Sequence, residues 1–269
     1  MYQEYYSLRE EPFNLTPDPR FLYPTARHRE ALNHLLFGIH HRKGFICLTG
    51  EVGAGKTTIC RALLRRLGEG FHTALVLNPV LSESQFLRVV VREFGIQAGL
   101  CDALDCMDLI NEFLLRLDAR GQTAVLIVDE VQDMPTKTLE MMRLLSNLET
   151  ERRKLLQIVL VGQPELKQKL AKPALRQLAQ RITIRFHLEN MTCEETAGYI
   201  QHRLAVAGGA ETIRFDGAAI REIHRHSGGT PRLVNALSDK ALLAGYVHQT
   251  GTIGRKLIRL AARELKEAC

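Results

Sequence analysis

The stretch Gly50–Thr57, GEVGAGKT, decides the fold of this 269-residue chain. It fits G-x-x-x-x-G-K-[ST] in full, follows the apolar run GFICLTG, and opens a helical pattern from about Lys56 to Leu67. That strand, turn and helix context gives the motif its physical meaning. Glycines let backbone N–H groups curl around a triphosphate, and the helix N-terminus adds positive potential. Gly50, Glu51, Val52, Gly53, Ala54, Gly55, Lys56, Thr57 and Thr58 are therefore candidate nucleotide-binding residues. Lys56 is expected to reach the β- and γ-phosphates of ATP, and Thr57 to hold Mg2+ through its hydroxyl.

Outward from this stretch, apolar runs alternate with helical patterns. HTALVLNP, TAVLIVDE, LLQIVLVGQPEL and ITIRFHL read as four further strands. Helical patterns lie between them at about 83–94, 107–119, 136–149 and 165–180. The pattern predicts an α/β fold: a parallel five-stranded sheet with helices on both faces. Beyond His187 the strands are expected to stop. Thr192 and Glu195 form a capping box, and helices near 193–206, 217–226, 231–246 and 254–267 predict an all-helical lid domain. The expected division is an arm and helix over 1–42, an ATPase core over 43–190, and the lid over 191–269.

Ligands of an open parallel sheet sit at the carboxyl ends of its strands. There TAVLIVDE delivers Asp129, expected to support Mg2+, and Glu130, expected to polarise the attacking water; the other reading is two helix-capping acids. Gln163, at the end of VLVGQPEL, is placed between this strand and the γ-phosphate, or is a turn residue. Asn78 ends the second strand and is a candidate to hydrogen-bond Glu130 and hold it inactive. Arg176 and Arg181 precede the fifth strand. In a ring of subunits one of them, Arg181 in preference, would enter the neighbour's site; a surface arginine is the other reading. Late in the chain, HSGGTPRL sets Arg232 at the start of a helix behind two glycines and Pro231, a residue suited to the first helical turn.

Composition bounds the rest. The 45% hydrophobic and 25% charged residues suit a soluble globular protein with a sizeable core. The net charge of +6 permits an acidic partner, but the basic residues are scattered. Six cysteines include no CxxC pair and no zinc-type spacing, as expected of a reducing, cytoplasmic compartment. The opening MYQEYYSLREEPF is acidic and aromatic, unlike a signal peptide. No apolar run approaches the ~20 residues that span a bilayer. Membrane contact is therefore expected to be peripheral or through a partner.

Together these features resemble AAA+ ATPases, with Walker A at Gly50–Thr57, Walker B at Val125–Glu130, a sensor-1 position at Gln163, an arginine-finger region at Arg176–Arg181 and a helical lid. The opening MYQEYYSLREEPFNLTPDPRFLYPTARHREAL, with GFICLTGEVGAGKTT and LQIVLVGQPEL, is similar to the ExeA/GspA family of general secretion pathway ATPases, which includes MshM-like pilus-biogenesis and exosortase-associated members. The likeness covers essentially the whole chain. Longer secretion members carry a transmembrane helix and a peptidoglycan-binding domain after the ATPase region. Gln163 departs from the Asn or Thr usual at sensor 1 but fits this family. The resemblance implies that Arg232 is presented to the γ-phosphate of its own subunit, and that TPDPRFLYP lies over the adenine, with Arg20–Tyr23 and His28 nearby.

The expected function is an ATP-hydrolysing assembly or regulatory switch for a bacterial envelope system: type II secretion, pilus biogenesis or polysaccharide export. A nucleotide-dependent homo-oligomeric ring and an inner-membrane protein partner go with it. The alternative is a DNA-binding AAA+ regulator of the transposition or initiator type, against which no helix-turn-helix or dense basic stripe stands out. A nucleotide-locked scaffold with little turnover is a third reading.

Overall fold

The computed structural model describes residues 2–14, 19–21, 23–77, 80–99, 102–151, 153–209 and 211–267. Helices α1 (Tyr2–Tyr5) and α2 (Ala26–His40) precede strand β1 (Phe45–Gly50). Then come α3 (Lys56–Arg66), β2 (Phe71–Val76), α4 (Glu83–Glu93), α5 (Ala103–Ala119), β3 (Thr123–Val128), α6 (Thr136–Leu145), β4 (Leu156–Gly162), α7 (Glu165–Leu170), α8 (Arg176–Arg181) and β5 (Ile182–Leu188). The remainder holds α9 (Cys193–Val206), β6 (Arg214–Phe215), α10 (Gly217–Ser227), α11 (Pro231–Val247), β7 (Thr252–Ile253) and α12 (Arg255–Glu267). These elements form two compact units. One comprises Arg27–Gly50 and Ile59–Leu188; the other comprises Met1–Ala26, Glu51–Thr58 and Glu189–Cys269.

The first unit is built on a five-stranded sheet in the order β2-β3-β4-β1-β5, every neighbouring pair parallel. Strands β1, β3 and β4 are buried along their whole length, which is why they read as unbroken apolar runs rather than alternating ones. Side chains such as Phe86, Val90, Ile110, Leu126, Leu139 and Ile158 fill the core, each contributing about 1.5–3 kcal/mol by leaving water. Because the strands are parallel and Thr49 pairs with Gly162, the chain leaves β1, β3 and β4 at one edge, at Gly50, Asp129 and Gln163.

The five strands lie where the sequence places them. Several helices differ. The helix expected over 165–180 is broken into α7, a 3-10 turn at Pro173–Leu175, and α8. Pro173 has no N–H to continue the ladder and clashes with the preceding turn. Helix α6 stops at Leu145, and α5 starts at Ala103 because Asp102 and Asp105 form a capping box.

The second unit packs α1 and α9–α12 around Tyr6, Phe13, Ile200, Leu204, Val234, Leu242 and Ile258. Thr192 and Glu195 make the expected capping box on α9. The expectation that strands end after His187 is corrected here: β6 and β7 pair in parallel, Arg214 with Thr252 and Phe215 with Ile253. Two-residue strands leave no periodic signal in a sequence. The arm contains α1, and the buried Tyr6 donates its hydroxyl to the Thr250 carbonyl at 2.9 Å.

One carboxylate organises the outer helices of this unit. Glu222 on α10, its side chain 4% exposed, accepts from Arg225 at 2.7 Å, from Arg259 at 2.9 Å and from Arg255 at 3.1 Å. These guanidiniums, Arg225 and Arg259 before Arg255, hold its pKa down from 4.5 to about 2 against the opposing effect of burial. Among the described residues, no helix is long and apolar enough to cross a membrane.

Candidate functional site

The phosphate loop continues directly from β1. Its turn is closed by the Ala54 N–H donating to the Glu51 carbonyl at 3.1 Å. Gly53 and Gly55 take φ of +78° and +99°, a region that residues bearing a Cβ rarely adopt. Helix α3 begins at Lys56, whose side chain is buried and whose Nζ donates to the Glu51 carbonyl at 3.0 Å. The first N–H groups of a helix have no partner within it. A loop with two such glycines, opening a helix at a buried lysine followed by Thr57 and Thr58, has the donors and the positive potential that a triphosphate needs.

Arg232 belongs to the same compact unit as this loop. Helix α11 starts at Pro231, after Thr230 at its N-cap. A Cβ placed on Gly53 would come within 2.6 Å of the Arg232 Cβ and 3.4 Å of the Thr230 Cγ2. The root of Arg232 therefore packs against the turn of the phosphate loop, while the side chain is exposed. The two glycines before Thr230 are what make this helix start fit. Gly228 caps α10 in the left-handed conformation. Gly229 has φ of +75°, and a Cβ there would meet the Met191 carbonyl oxygen at 2.0 Å.

In the sheet unit, Asp129 follows β3, is 3% exposed, and donates its backbone N–H to the Val76 carbonyl at 2.9 Å. Its Oδ1 accepts from the Glu130 N–H at 2.9 Å. Glu130 is in the left-handed region, φ 53° and ψ 38°, unusual for a residue with a side chain. Its Oε2 accepts from the Gln132 amide at 2.8 Å and from the Gln163 amide at 3.3 Å. Gln132 also donates to Asp133 at 2.9 Å and accepts from the Gln163 N–H at 3.0 Å. Lys169 on α7 donates to the carbonyls of Gln132, at 2.7 Å, and of Met134.

The structure thus brings Asp129, Glu130 and Gln163 together in one unit, and Lys56 and Arg232 with the glycine loop in the other. Gln132 is the residue the sequence reading missed. Its signal was a polar side chain two places after Glu130, in a segment ended by Pro135, but hydrophobic periodicity says nothing about a 3-10 turn. Asn78, read as a partner of Glu130, lies outside the described residues. Arg181 is half-buried and committed: its guanidinium donates to the Ser146 hydroxyl at 2.8 Å, to the Asn147 side chain, and to the Arg143 carbonyl at 3.4 Å. Arg176 is exposed at the start of α8.

In the arm, Thr16–Asp18 and Leu22 lie outside the described residues. Arg20 forms a bidentate pair with Glu10, at 2.9 and 2.8 Å. The Tyr23 ring packs 5.6 Å from that of His202, and His28 is buried in α2. Of the cysteines, Cys47, Cys60 and Cys106 are buried; burial pushes the Cys47 thiol up to about 11, an inert group rather than a nucleophile. Among the described residues, no three His, Cys, Asp or Glu side chains gather as a metal cage. Mg2+ does not require one: it typically takes one or two carboxylates and completes its shell with phosphate oxygens and water.

Residues 39–170 match the family described as "AAA domain". The chain is 45% identical over 266 residues to general secretion pathway protein A of Aeromonas hydrophila, covering 98% of this chain and 48% of that protein. It therefore spans about half the length of the curated relative it matches. Among solved structures, the Aeropyrum pernix ORC2 protein in its ADPNP–ADP complexes superposes with a TM-score of 0.67 at 18% identity, over 96% of this chain and 72% of that one. Pyrobaculum aerophilum Cdc6p gives 0.69 at 16% identity, over 96% and 71%. The Thermotoga maritima RuvB branch migration motor gives 0.59 at 17%, over 91% and 73%. At these identities the likeness speaks for the fold.

Proposed function

The chain belongs to the ExeA/GspA type of AAA+ proteins, and from that premise we propose that it binds ATP with Mg2+ and hydrolyses it to switch an envelope-assembly complex between states. Backbone N–H groups of Gly53–Thr58 and the Lys56 ammonium hold the phosphates. The Thr57 hydroxyl and the Asp129 carboxylate are the ligands offered to Mg2+, whose role when bound is to neutralise phosphate charge. Glu130 orients the attacking water and takes its proton as the new P–O bond forms and the β–γ bridging bond breaks, leaving the electron pair on ADP. Gln163 steadies the Glu130 carboxylate, and Arg232 contributes charge from the helical unit. The observation that favours hydrolysis over binding alone is the Glu130 carboxylate, held in a set orientation by two amides beside a buried aspartate.

The test is phosphate release by the wild type and by Glu130→Gln, with ATP affinity measured alongside. The expected loss is about 10²- to 10⁴-fold in turnover with binding retained. Equal rates would remove Glu130 from the reaction. The secretion role rests on the relative from Aeromonas hydrophila, general secretion pathway protein A, a protein about twice this length; pilus biogenesis and polysaccharide export rest on the resemblance of the opening sequence to that wider family. A nucleotide-dependent homo-oligomer goes with it, with Arg181 or Arg176 serving a neighbouring subunit. Sedimentation of Glu130→Gln with ATP checks that, a monomer at micromolar concentration being the contrary result. Such a protein would work in the cytoplasm, at the inner membrane through a partner.

A second reading, a DNA-binding regulator, is favoured by the exposed Arg221 and Arg263 on α10 and α12, beside the three arginines that pair with Glu222. Tight duplex binding with a steep salt dependence would support it over the first.

A further inference from the structure

We infer that Gln132 is a positioning residue for ATP hydrolysis, a clamp that fixes the Glu130 carboxylate and ties it to the segment after β4; this rests on the proposed role of Glu130 as the base. Glu130 is displayed from a left-handed backbone, so its side chain leaves β3 in a direction that ordinary strand-end geometry does not offer. A glutamate side chain has three rotatable bonds and ~1.5–2 kcal/mol of rotamer entropy to lose on being fixed. The Gln132 amide, at 2.8 Å, is its shorter contact, and the Gln163 amide at 3.3 Å its longer one. Both reach the same oxygen, Oε2. Among the described residues no hydrogen bond is made to Oε1, which leaves that oxygen to the water.

Gln132 is itself held from both ends. Its Oε1 takes the Gln163 N–H at 3.0 Å, its Nε2 is shared with Asp133, and its own carbonyl receives Lys169. Gly162 belongs to the same device: a Cβ there would press to 2.9 Å from Gln132 Oε1. The turn carrying Glu130 and the β4–α7 connection are thus joined by three side-chain bridges, from Gln132, Gln163 and Lys169. A displacement of Gln163 is transmitted to the Glu130 carboxylate through one amide group. The donors are neutral, so they orient the carboxylate without the ion pair that would lock it.

The experiment is a double-mutant cycle in ATP turnover with Glu130→Gln, Gln132→Ala and the double variant, plus Gln132→Glu. The last keeps an acceptor for the Gln163 N–H while replacing the donor to Glu130 by a carboxylate that repels it, so the turn keeps its tie to β4 while the clamp is lost. Gln132→Ala and Gln132→Glu should each lower kcat by about tenfold or more, with the ATP dissociation constant within about twofold of wild type. In the Glu130→Gln background, Gln132→Ala should bring no further loss, because a residue acting through another adds nothing once that one is gone. Wild-type kcat in Gln132→Glu, additive losses, or a loss confined to ATP affinity would each overturn the inference. If Glu130→Gln itself turns over at the wild-type rate, the underlying role of Glu130 fails instead, and the two failures are told apart by that single variant.

Discussion

Glu130 and Glu222 are both carboxylates held by neighbours, one in the sheet unit and one in the helical unit, and they are held in opposite ways. Glu222 sits in the middle of α10 and faces three guanidiniums within 2.7–3.1 Å. Glu130 sits on a left-handed residue at a strand end and faces two neutral amides. Ion pairs with guanidiniums add full opposite charges and hold the Glu222 carboxylate in its ionised form. Neutral amide donors set the direction of a carboxylate without placing an opposite charge against it. The contrast separates a carboxylate that ties helices together from one whose proposed role is chemical. The arginines divide the same way: Arg225, Arg255 and Arg259 are spent on Glu222 and Arg181 on the end of α6, whereas Arg232 makes no ion pair among the described residues and stands beside Gly53.

Glu130→Gly offers the sharpest break between the two carboxylates. Turnover should fall by about 10²- to 10⁴-fold. Stability should rise by about 1 kcal/mol, because glycine adopts the left-handed backbone without strain. Thermal melting beside phosphate release reads both; a drop in Tm would mean the side chain holds the turn together. Arg232→Ala comes next, with turnover lower by about tenfold and Tm nearly unchanged, as expected of a transition-state charge rather than a structural tie. Unaltered turnover and ATP affinity would make this arginine a surface residue.

Glu222→Gln should leave turnover per folded molecule close to wild type and destabilise by about 1–2 kcal/mol, a figure reduced by the half-exposed arginines. Its pH signature is distinct. The folded pKa is depressed to about 2 from 4.5, so the contribution is complete above about pH 5 and is lost as pH falls towards 2. Wild-type Tm should fall over that window more steeply than that of Glu222→Gln. Parallel curves would show that the ion-pair cluster carries no net stability.

Legibility in the sequence followed physical range. The five strands could be read because burial on both faces demands unbroken apolar runs, and GEVGAGKT because the chemistry of a phosphate loop lies in eight consecutive residues. Thr192 and Glu195 were readable for the same reason, since a capping box spans four positions. Gln132 was not, because its partners Glu130 and Gln163 meet only after β3 and β4 align, 31 residues separating the amide from the N–H it accepts. Nor was the commitment of Arg181, whose side-chain partners lie just past the end of α6, more than 30 residues back along the chain. The break in the helix after Leu170 was written in Pro173, and periodicity alone passed over it.

The sequence by itself determined the class of fold, the phosphate loop, and the acidic pair at the end of β3, all of them consequences of local spacing and hydrophobic pattern. Only the tertiary structure decided which of the candidate side chains are occupied and which are free to act. It closed the turn of Glu130 with amides, engaged Arg181, and set the root of Arg232 against Gly53, where no Cβ fits. The physical reason is that a hydrogen bond or a close contact depends on distances of 3 Å between atoms far apart in the chain, and such distances exist only once the strands have paired and the helices have packed.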